Sequence, residues 1–104
     1  MNVYQASQER LQYIFSEFDK ILIAFSGGKD SGVVLNMAYD YAKEHNRLPD
    51  LAMYHIDYEA QYQMNTDYVQ EAFSQFPKVE KFWLCLPVGA QCACRMDGDT
   101  WIPW

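Results

Sequence analysis

Six consecutive residues combine the side chains and the backbone freedom that binding of a phosphate group requires. They are Ser26, Gly27, Gly28, Lys29, Asp30 and Ser31. Gly27 and Gly28 are able to adopt positive φ and let the backbone approach a ligand closely. Ser26 and Ser31 offer hydroxyl donors, and Lys29 offers a mobile cation. We therefore predict that residues 26–31, called the Gly-rich loop below, bind phosphate oxygens. Lys29 is expected to stabilise the negative charge that develops on these oxygens during a reaction.

Asp30 is the acidic member of the Gly-rich loop, so a direct contact with phosphate is not expected of it. An aspartate at this place either caps the following helix or holds a magnesium ion bound to the phosphates. A helix that begins near Ser31 would add its free N–H groups and the positive end of its dipole. Such a site binds an anion even though the chain carries 14 acidic against 8 basic residues.

The spacing of the loop excludes two common nucleotide-binding motifs. A Walker A loop has Ser or Thr after its lysine, whereas Lys29 is followed by Asp30. A Rossmann fingerprint has the spacing Gly-x-Gly-x-x-Gly, which Gly27, Gly28 and Gly32 do not have.

Hydrophobic periodicity predicts the elements that position the loop. Residues 21–25 form a continuous apolar run, which is typical of a strand buried on both faces. Further strands are predicted over residues 51–57 and 79–86, and a loop over residues 89–100. The predicted helices cover residues 11–18 with Ser7 as a candidate cap, residues 31–45, and residues 66–76 with Pro77 closing the last one.

The alternation of helices and strands predicts one α/β domain over residues 1–104. Its fold is expected to be three-layered, with flanking helices on a parallel sheet joined by right-handed crossovers. The Gly-rich loop then lies beyond the carboxyl end of the first strand, where open α/β sheets bind ligands.

The Gly-rich loop resembles the PP-loop of the adenine nucleotide alpha hydrolase superfamily, which residues 26–31 match without a mismatch. The sequence is most similar to the phosphoadenosine phosphosulfate (PAPS) reductase-like group. In that group an aspartate stands at the end of the second strand near the nucleotide, and Asp57 occupies this place. The segments 82–87 and 101–104 also resemble this group, in particular PAPS reductase-like proteins of bacteria and phages.

The resemblance implies a function as well as a fold. It implies that residues 26–31 and Asp57 bind ATP or a related adenine nucleotide with magnesium, that Lys29 and Asp30 are catalytic, and that cleavage at the α-phosphate releases pyrophosphate. Family members continue with further strands and helices, so a short member lacking the C-terminal part is expected. The alternative is a catalytically inactive binding or regulatory module, including one encoded by a phage, that acts through a protein partner.

Several other polar or reactive side chains have competing interpretations. Asp57 caps the turn after its strand or belongs to the site, and Tyr58 and Tyr62 stack on a base or, more simply, pack. His45 is expected to cap a helix end, and His55 to be packed within its strand. The cysteines are interpreted as thiols rather than metal ligands, with Cys85 in the core and Cys92 and Cys94 in C-x-C spacing.

Composition limits the partners. The formal net charge is −6 and basic residues form no run, which argues against a nucleic-acid partner. No apolar run is long enough for a membrane span, and the first ten residues do not resemble a signal peptide, so a cytoplasmic location is expected. Trp101 and Trp104 need cover, which the sheet, a protein partner or a second protomer could supply.

Overall fold

The computed structural model describes residues 2–91 and 100–104, which form three α-helices, a short 3-10 helix, a parallel sheet and one separate pair of short strands. In chain order the elements are α1 (Val3–Glu17), β1 (Ile21–Ala24), α2 (Lys29–Glu44), a short 3-10 helix (Leu48–Asp50), β2 (Leu51–Ile56), α3 (Gln63–Gln75), β3 (Glu80–Leu84), β4 (Ala90–Gln91) and β5 (Thr100–Trp101).

The main sheet has the order β1-β2-β3 with both neighbouring pairs parallel. Ile23 is in register with Met53, and His55 is in register with Trp83. The predicted α/β class with a parallel sheet is thereby confirmed. The predicted loop over residues 89–100 is wrong at its ends, because β4 and β5 pair in an antiparallel ladder. Two-residue strands are too short to show an alternation in the sequence.

The helix boundaries differ from the prediction where local capping decides them. Asn2, rather than Ser7, caps α1 in a capping box with Gln5, and the Ser7 hydroxyl donates to Val3 O inside the helix. Helix α3 begins three residues earlier than predicted, at Gln63, and ends just before Pro77 as expected.

The helices cover one face of the sheet. Residues from all three helices pack with alternate strand residues into one core, which includes Phe15, Leu35, Met53 and Val69. The opposite face is open among the described residues, and Leu22 is 56% exposed there. The prediction that residues 21–25 are buried on both faces is therefore wrong. The described part of the chain supplies one helical layer rather than the two expected.

Charged residues lie at the edge where the strands begin. Arg47 Nε donates to Asp50 Oδ2 at 2.6 Å, and Lys20 Nζ lies 3.0 Å from Asp50 Oδ1. The Arg47 guanidinium also donates to the carbonyls of Phe15 and Phe18, which lie at the end of α1. Hydrogen bonds from Arg47 and Lys20 lower the pKa of the Asp50 carboxyl. This set, Lys20, Arg47 and Asp50, is called the basal cluster below.

Candidate functional site

The Gly-rich loop connects β1 to α2 at the opposite edge of the sheet, where the strands end. Phe25 extends the strand by one residue, since its N–H donates to Tyr54 O at 2.8 Å. Helix α2 then begins at Lys29, so only residues 26–28 are non-helical. The loop thus lies at the predicted place, and the helix begins two residues earlier than expected.

The two serines of the loop contact each other across it. Their hydroxyl oxygens are 3.1 Å apart, and Ser31 Oγ donates to Gly28 O at 3.1 Å. The N–H of Ser26 points to Ser31 Oγ, and that of Gly28 to Ser26 Oγ, both at 3.3 Å. These bonds close the loop on itself and bring residues 26 and 31 together as the motif predicts.

Gly27 is the position that requires glycine. Its φ is +94°, a region that residues with a Cβ rarely adopt. A Cβ there would also overlap Asn65 Oδ1 and lie 3.0 Å from Val69 Cγ2. Gly28 has φ −79° and room for a Cβ, so of the two glycines only Gly27 uses its freedom to adopt positive φ.

Backbone N–H groups at the loop have no acceptor within the described residues. They belong to Gly27, Lys29, Asp30 and Ser31, and the first paired N–H of α2 is that of Gly32, which donates to Gly28 O at 3.0 Å. The N-cap, Gly28, supplies no side-chain hydrogen bond. Unpaired donors at a helix N-terminus favour an anion.

Lys29 and Asp30 are exposed in the first turn of α2. Neither side chain has an ion pair or hydrogen bond with any residue that the structure describes. Asp30 does not cap the helix, because the N-cap is Gly28, so that alternative is wrong. Both charged groups are available to a ligand.

Asp57 follows β2 at the same edge of the sheet, and its carboxylate organises the next turn. Oδ1 accepts from the N–H of Glu59 at 2.8 Å and from Gln61 Nε2 at 3.2 Å. Oδ2 accepts from Trp83 Nε1 at 3.0 Å. The turn-capping interpretation is confirmed by these bonds. The role of Asp57 towards a nucleotide stays a prediction.

His55 joins the end of β1 to this turn. Its side chain is 1% exposed, and Nδ1 lies 2.9 Å from Phe25 O. Because a carbonyl only accepts, Nδ1 carries a proton, and Nε2 is left to accept from Gln61 Nε2 at 3.4 Å. The prediction of a packed histidine is confirmed. His45 also behaves as predicted, since it is the C-cap of α2 and its Nδ1 lies 2.9 Å from Tyr41 O.

An open cleft of about 410 Å³ lies beside the loop on the uncovered side of the sheet. Its walls come from both strand ends and the β2–α3 turn: Ala24, Phe25, Ser26, Tyr54, His55, Ile56, Tyr58 and Gln61. Tyr58 is thus placed at the cleft. Tyr62 is 87% exposed, so its interpretation as a packing residue is wrong.

Two residues of this region, Gln61 and Asn65, were missed by the sequence analysis. Gln61 contacts Asp57 and His55, and Asn65 Nδ2 donates to Ser26 O at 3.3 Å. Both precede residue 66, where the helix was predicted to begin. Gln61 precedes α3 and Asn65 lies in its first turn. Apolar periodicity gives no signal for polar residues at such positions, so nothing in the sequence connected them with the loop.

The C-terminal residues contact the same turn. Trp104 Nε1 donates to Asp57 O at 2.6 Å, and the Trp104 N–H donates to Glu59 Oε1 at 2.8 Å. Trp104 therefore folds back onto its own chain, while Ile102 is exposed. The sequence analysis also predicts that the Trp101 side chain packs against another surface, but this side chain lies outside what the structure describes.

Of the predictions for individual cysteines, the structure tests the one for Cys85. Cys85 is exposed, one residue beyond β3, so its assignment to the core is wrong. Cys92 and Cys94 lie outside the described residues.

Among residues 2–91 and 100–104, no group of three or more His, Cys, Asp or Glu side chains could hold a metal ion. No helix in these ranges is long and apolar enough to span a bilayer.

No family model matches the chain, and no solved structure matches it. The chain is similar to a curated protein of Escherichia coli (strain K12) described as "Uncharacterized protein YbdN". The identity is 28% over 106 aligned residues, which cover 100% of this chain and 26% of that protein. The chain thus spans about a quarter of the length of the curated relative it matches.

Proposed function

We propose that this chain is a PP-loop domain that binds ATP or a related adenine nucleotide, with the phosphates on residues 26–31. The observation that carries this proposal is a set of unpaired backbone N–H groups at the carboxyl edge of a parallel sheet, those of Gly27, Lys29, Asp30 and Ser31. Successive free donors, together with a helix N-terminus, form an anion-binding concavity. The complete match of the loop to the PP-loop favours this chemistry over a glycine turn without a ligand.

Lys29 supplies the positive charge that the backbone donors lack. Its ammonium group is exposed and unpaired within the described residues, so binding phosphate breaks no ion pair. The hydroxyls of Ser26 and Ser31 bond each other and loop backbone in the structure, and both can rotate to donate to phosphate oxygens instead.

Asp30 fits a magnesium ion that arrives with the nucleotide. Magnesium is commonly held by one or two carboxylates together with substrate phosphates and water. One exposed, unpaired carboxylate in the first turn of α2 meets that need without a preformed metal cage. Magnesium so bound would neutralise phosphate charge.

The reaction proposed for this site is displacement at the α-phosphorus. A nucleophile bonds to the α-phosphorus, the bond from that phosphorus to the bridging oxygen breaks, and pyrophosphate leaves with this oxygen. The chain contributes by positioning the phosphates and stabilising their charge through the loop N–H groups and Lys29. The cleft beside Tyr54 and Tyr58 has the size and aromatic lining for the nucleoside. Asp57 is proposed to face it.

The second candidate is a binding or regulatory module without turnover that acts through a protein partner or a second protomer. The apolar side chains of Leu22 and Phe82, exposed on the uncovered face of the sheet, favour it, because exposed apolar surface often marks an interface. In this function the nucleotide, or the fold alone, would serve recognition.

The two candidates are separated by calorimetric titration of ATP, AMP and PAPS in the presence of magnesium, followed by a pyrophosphate-release assay. Asp30→Ala is expected to weaken ATP binding about tenfold or more, since a charged partner is lost. Asp40→Ala is the matched control, because Asp40 is an exposed aspartate on the same helix. Absence of binding by the unaltered protein would refute the nucleotide site. Binding without pyrophosphate release would support the second candidate.

A further inference from the structure

Helix α3 presses one face against the Gly-rich loop. Asn65, Tyr68 and Val69 have the spacing i, i+3 and i+4, which places them on the same side of the helix. Asn65 and Val69 border the position of a Cβ on Gly27, and the Tyr68 hydroxyl lies 3.3 Å from the position of a Cβ on Gly32. The loop therefore rests on α3 as well as on its own internal hydrogen bonds.

Asn65 fixes the orientation of one peptide unit in the loop. Its Nδ2 donates to Ser26 O at 3.3 Å, so this carbonyl points toward α3. The peptide bond between Ser26 and Gly27 is trans and planar, and its N–H points opposite to its C=O. The N–H of Gly27 consequently points away from Asn65, and it has no acceptor within the described residues.

Gly27 has no Cβ, which lets the asparagine approach closely enough to hold the peptide. A rotation of this peptide would direct its carbonyl oxygen, instead of the N–H group of Gly27, to the side away from α3. An oxygen there would repel the same anion that the donors attract. The contact with Asn65 thus holds the peptide with the N–H of Gly27 on the side away from α3.

We propose that Asn65 is a positioning residue for the phosphates, holding the Ser26 carbonyl toward α3 so that the Gly27 N–H faces the ligand. This inference rests on the proposed phosphate site and adds a residue outside the PP-loop motif to it. Asn65 acts through the loop and need not touch the nucleotide.

The test measures the affinity of inorganic pyrophosphate and of ATP, both with magnesium, for the unaltered protein and for Asn65→Ala and Asn65→Asp. Loss of the amide donor in Asn65→Ala is expected to weaken both ligands about tenfold. Asn65→Asp is expected to weaken them further, because its carboxylate would repel both the Ser26 carbonyl and the ligand. Gln63→Ala is the control, since Gln63 lies on α3 but its amide donates to Asp67.

Thermal melting separates positioning from loss of fold. Val79→Ala removes buried volume away from the loop, so it supplies a destabilised variant with the loop contacts intact. Pyrophosphate affinity that falls in Asn65→Ala but is kept in Val79→Ala supports the inference. Unchanged affinity in Asn65→Ala, or an equal loss in both variants, would overturn it. If the unaltered protein binds ATP but not pyrophosphate, the inference fails while the nucleotide site stands; binding of neither refutes both.

Discussion

The two edges of the sheet use charged residues in opposite ways. At the edge where the strands begin, Arg47 and Lys20 both contact Asp50, and Arg47 also bonds carbonyls at the end of α1. At the edge where the strands end, Lys29 and Asp30 are adjacent and exposed, and neither has a partner within the described residues. One edge is satisfied internally, while the other has donors and charges available.

This difference indicates which edge is structural and which is suited to a ligand. A charge that is already paired gains little from a phosphate, because binding would break existing hydrogen bonds. A helix N-terminus with unpaired N–H groups has no such cost. The presence of lysine therefore does not mark the site. The feature suited to a phosphate is a lysine that lies beside unpaired backbone N–H groups.

The largest effect on ATP affinity is expected when the lysine at one edge is removed and the result is compared with removal of the lysine at the other edge. Lys29→Ala should weaken ATP binding about 10- to 100-fold, since a charge-assisted contact with phosphate is lost. Lys20→Ala should leave ATP affinity unchanged, because Lys20 contacts Asp50 at the other edge. Calorimetry on both variants tests this. Equal losses in the two variants would mean that only net charge matters and that the edges do not differ.

Glycine substitutions test whether the loop conformation is demanded by the fold. Gly27→Ala is expected to cost about 2–3 kcal/mol of unfolding free energy, through positive φ and overlap with Asn65. Gly28→Ala should cost less than about 1 kcal/mol, because its φ is ordinary and its Cβ has room. Urea unfolding of both variants provides the comparison. Similar costs at the two positions would contradict the loop geometry.

The basal cluster should affect stability without affecting ligand binding. Arg47→Ala is expected to lower the unfolding free energy by about 1–2 kcal/mol, because it leaves Phe15 O and Phe18 O without this donor. ATP affinity at a temperature well below the melting transition should stay the same. A selective loss of ATP affinity in the folded variant would show that the two edges are coupled.

The smallest effect is expected for the dependence of the melting temperature on pH in the acid range. Arg47 and Lys20 lower the pKa of Asp50 below its ordinary value of 3.8. Its contribution to stability is therefore full above that ordinary pKa and is lost as the pH falls through the lowered folded-state pKa. Asp50→Asn removes this dependence, so the melting temperature of the variant should fall less steeply than that of the unaltered protein below about pH 4. Parallel melting curves against pH would contradict it.

Much of the candidate site could be predicted because its signals are local. The apolar run at residues 21–25 and the helical spacing after it place the Gly-rich loop between a strand and a helix. The glycines and serines of the loop then form the turn and its hydrogen bonds over a few residues. His45 and Pro77 also act on their own helices, and both were predicted correctly.

Other features depend on elements that are distant in the sequence. Cys85 was assigned to the core because it continues an apolar pattern, yet β3 ends before it and leaves it exposed. Leu22 lies in an apolar run, but burial of a strand on two faces requires a layer on each, and the described helices supply one. Periodicity reports a tendency to be buried and not the presence of a covering element.

The sequence by itself determined the class of fold, the order of the three helices and the three strands of the main sheet, and the position of the Gly-rich loop. These follow from periodicity and from the backbone freedom of glycine. The tertiary structure decided which side chains surround that loop. Asn65 reaches Ser26 across 39 residues, and His55 reaches Phe25 across 30. Such contacts exist only once helices and strands have packed, because hydrogen bonds between distant residues depend on the register and orientation of whole elements.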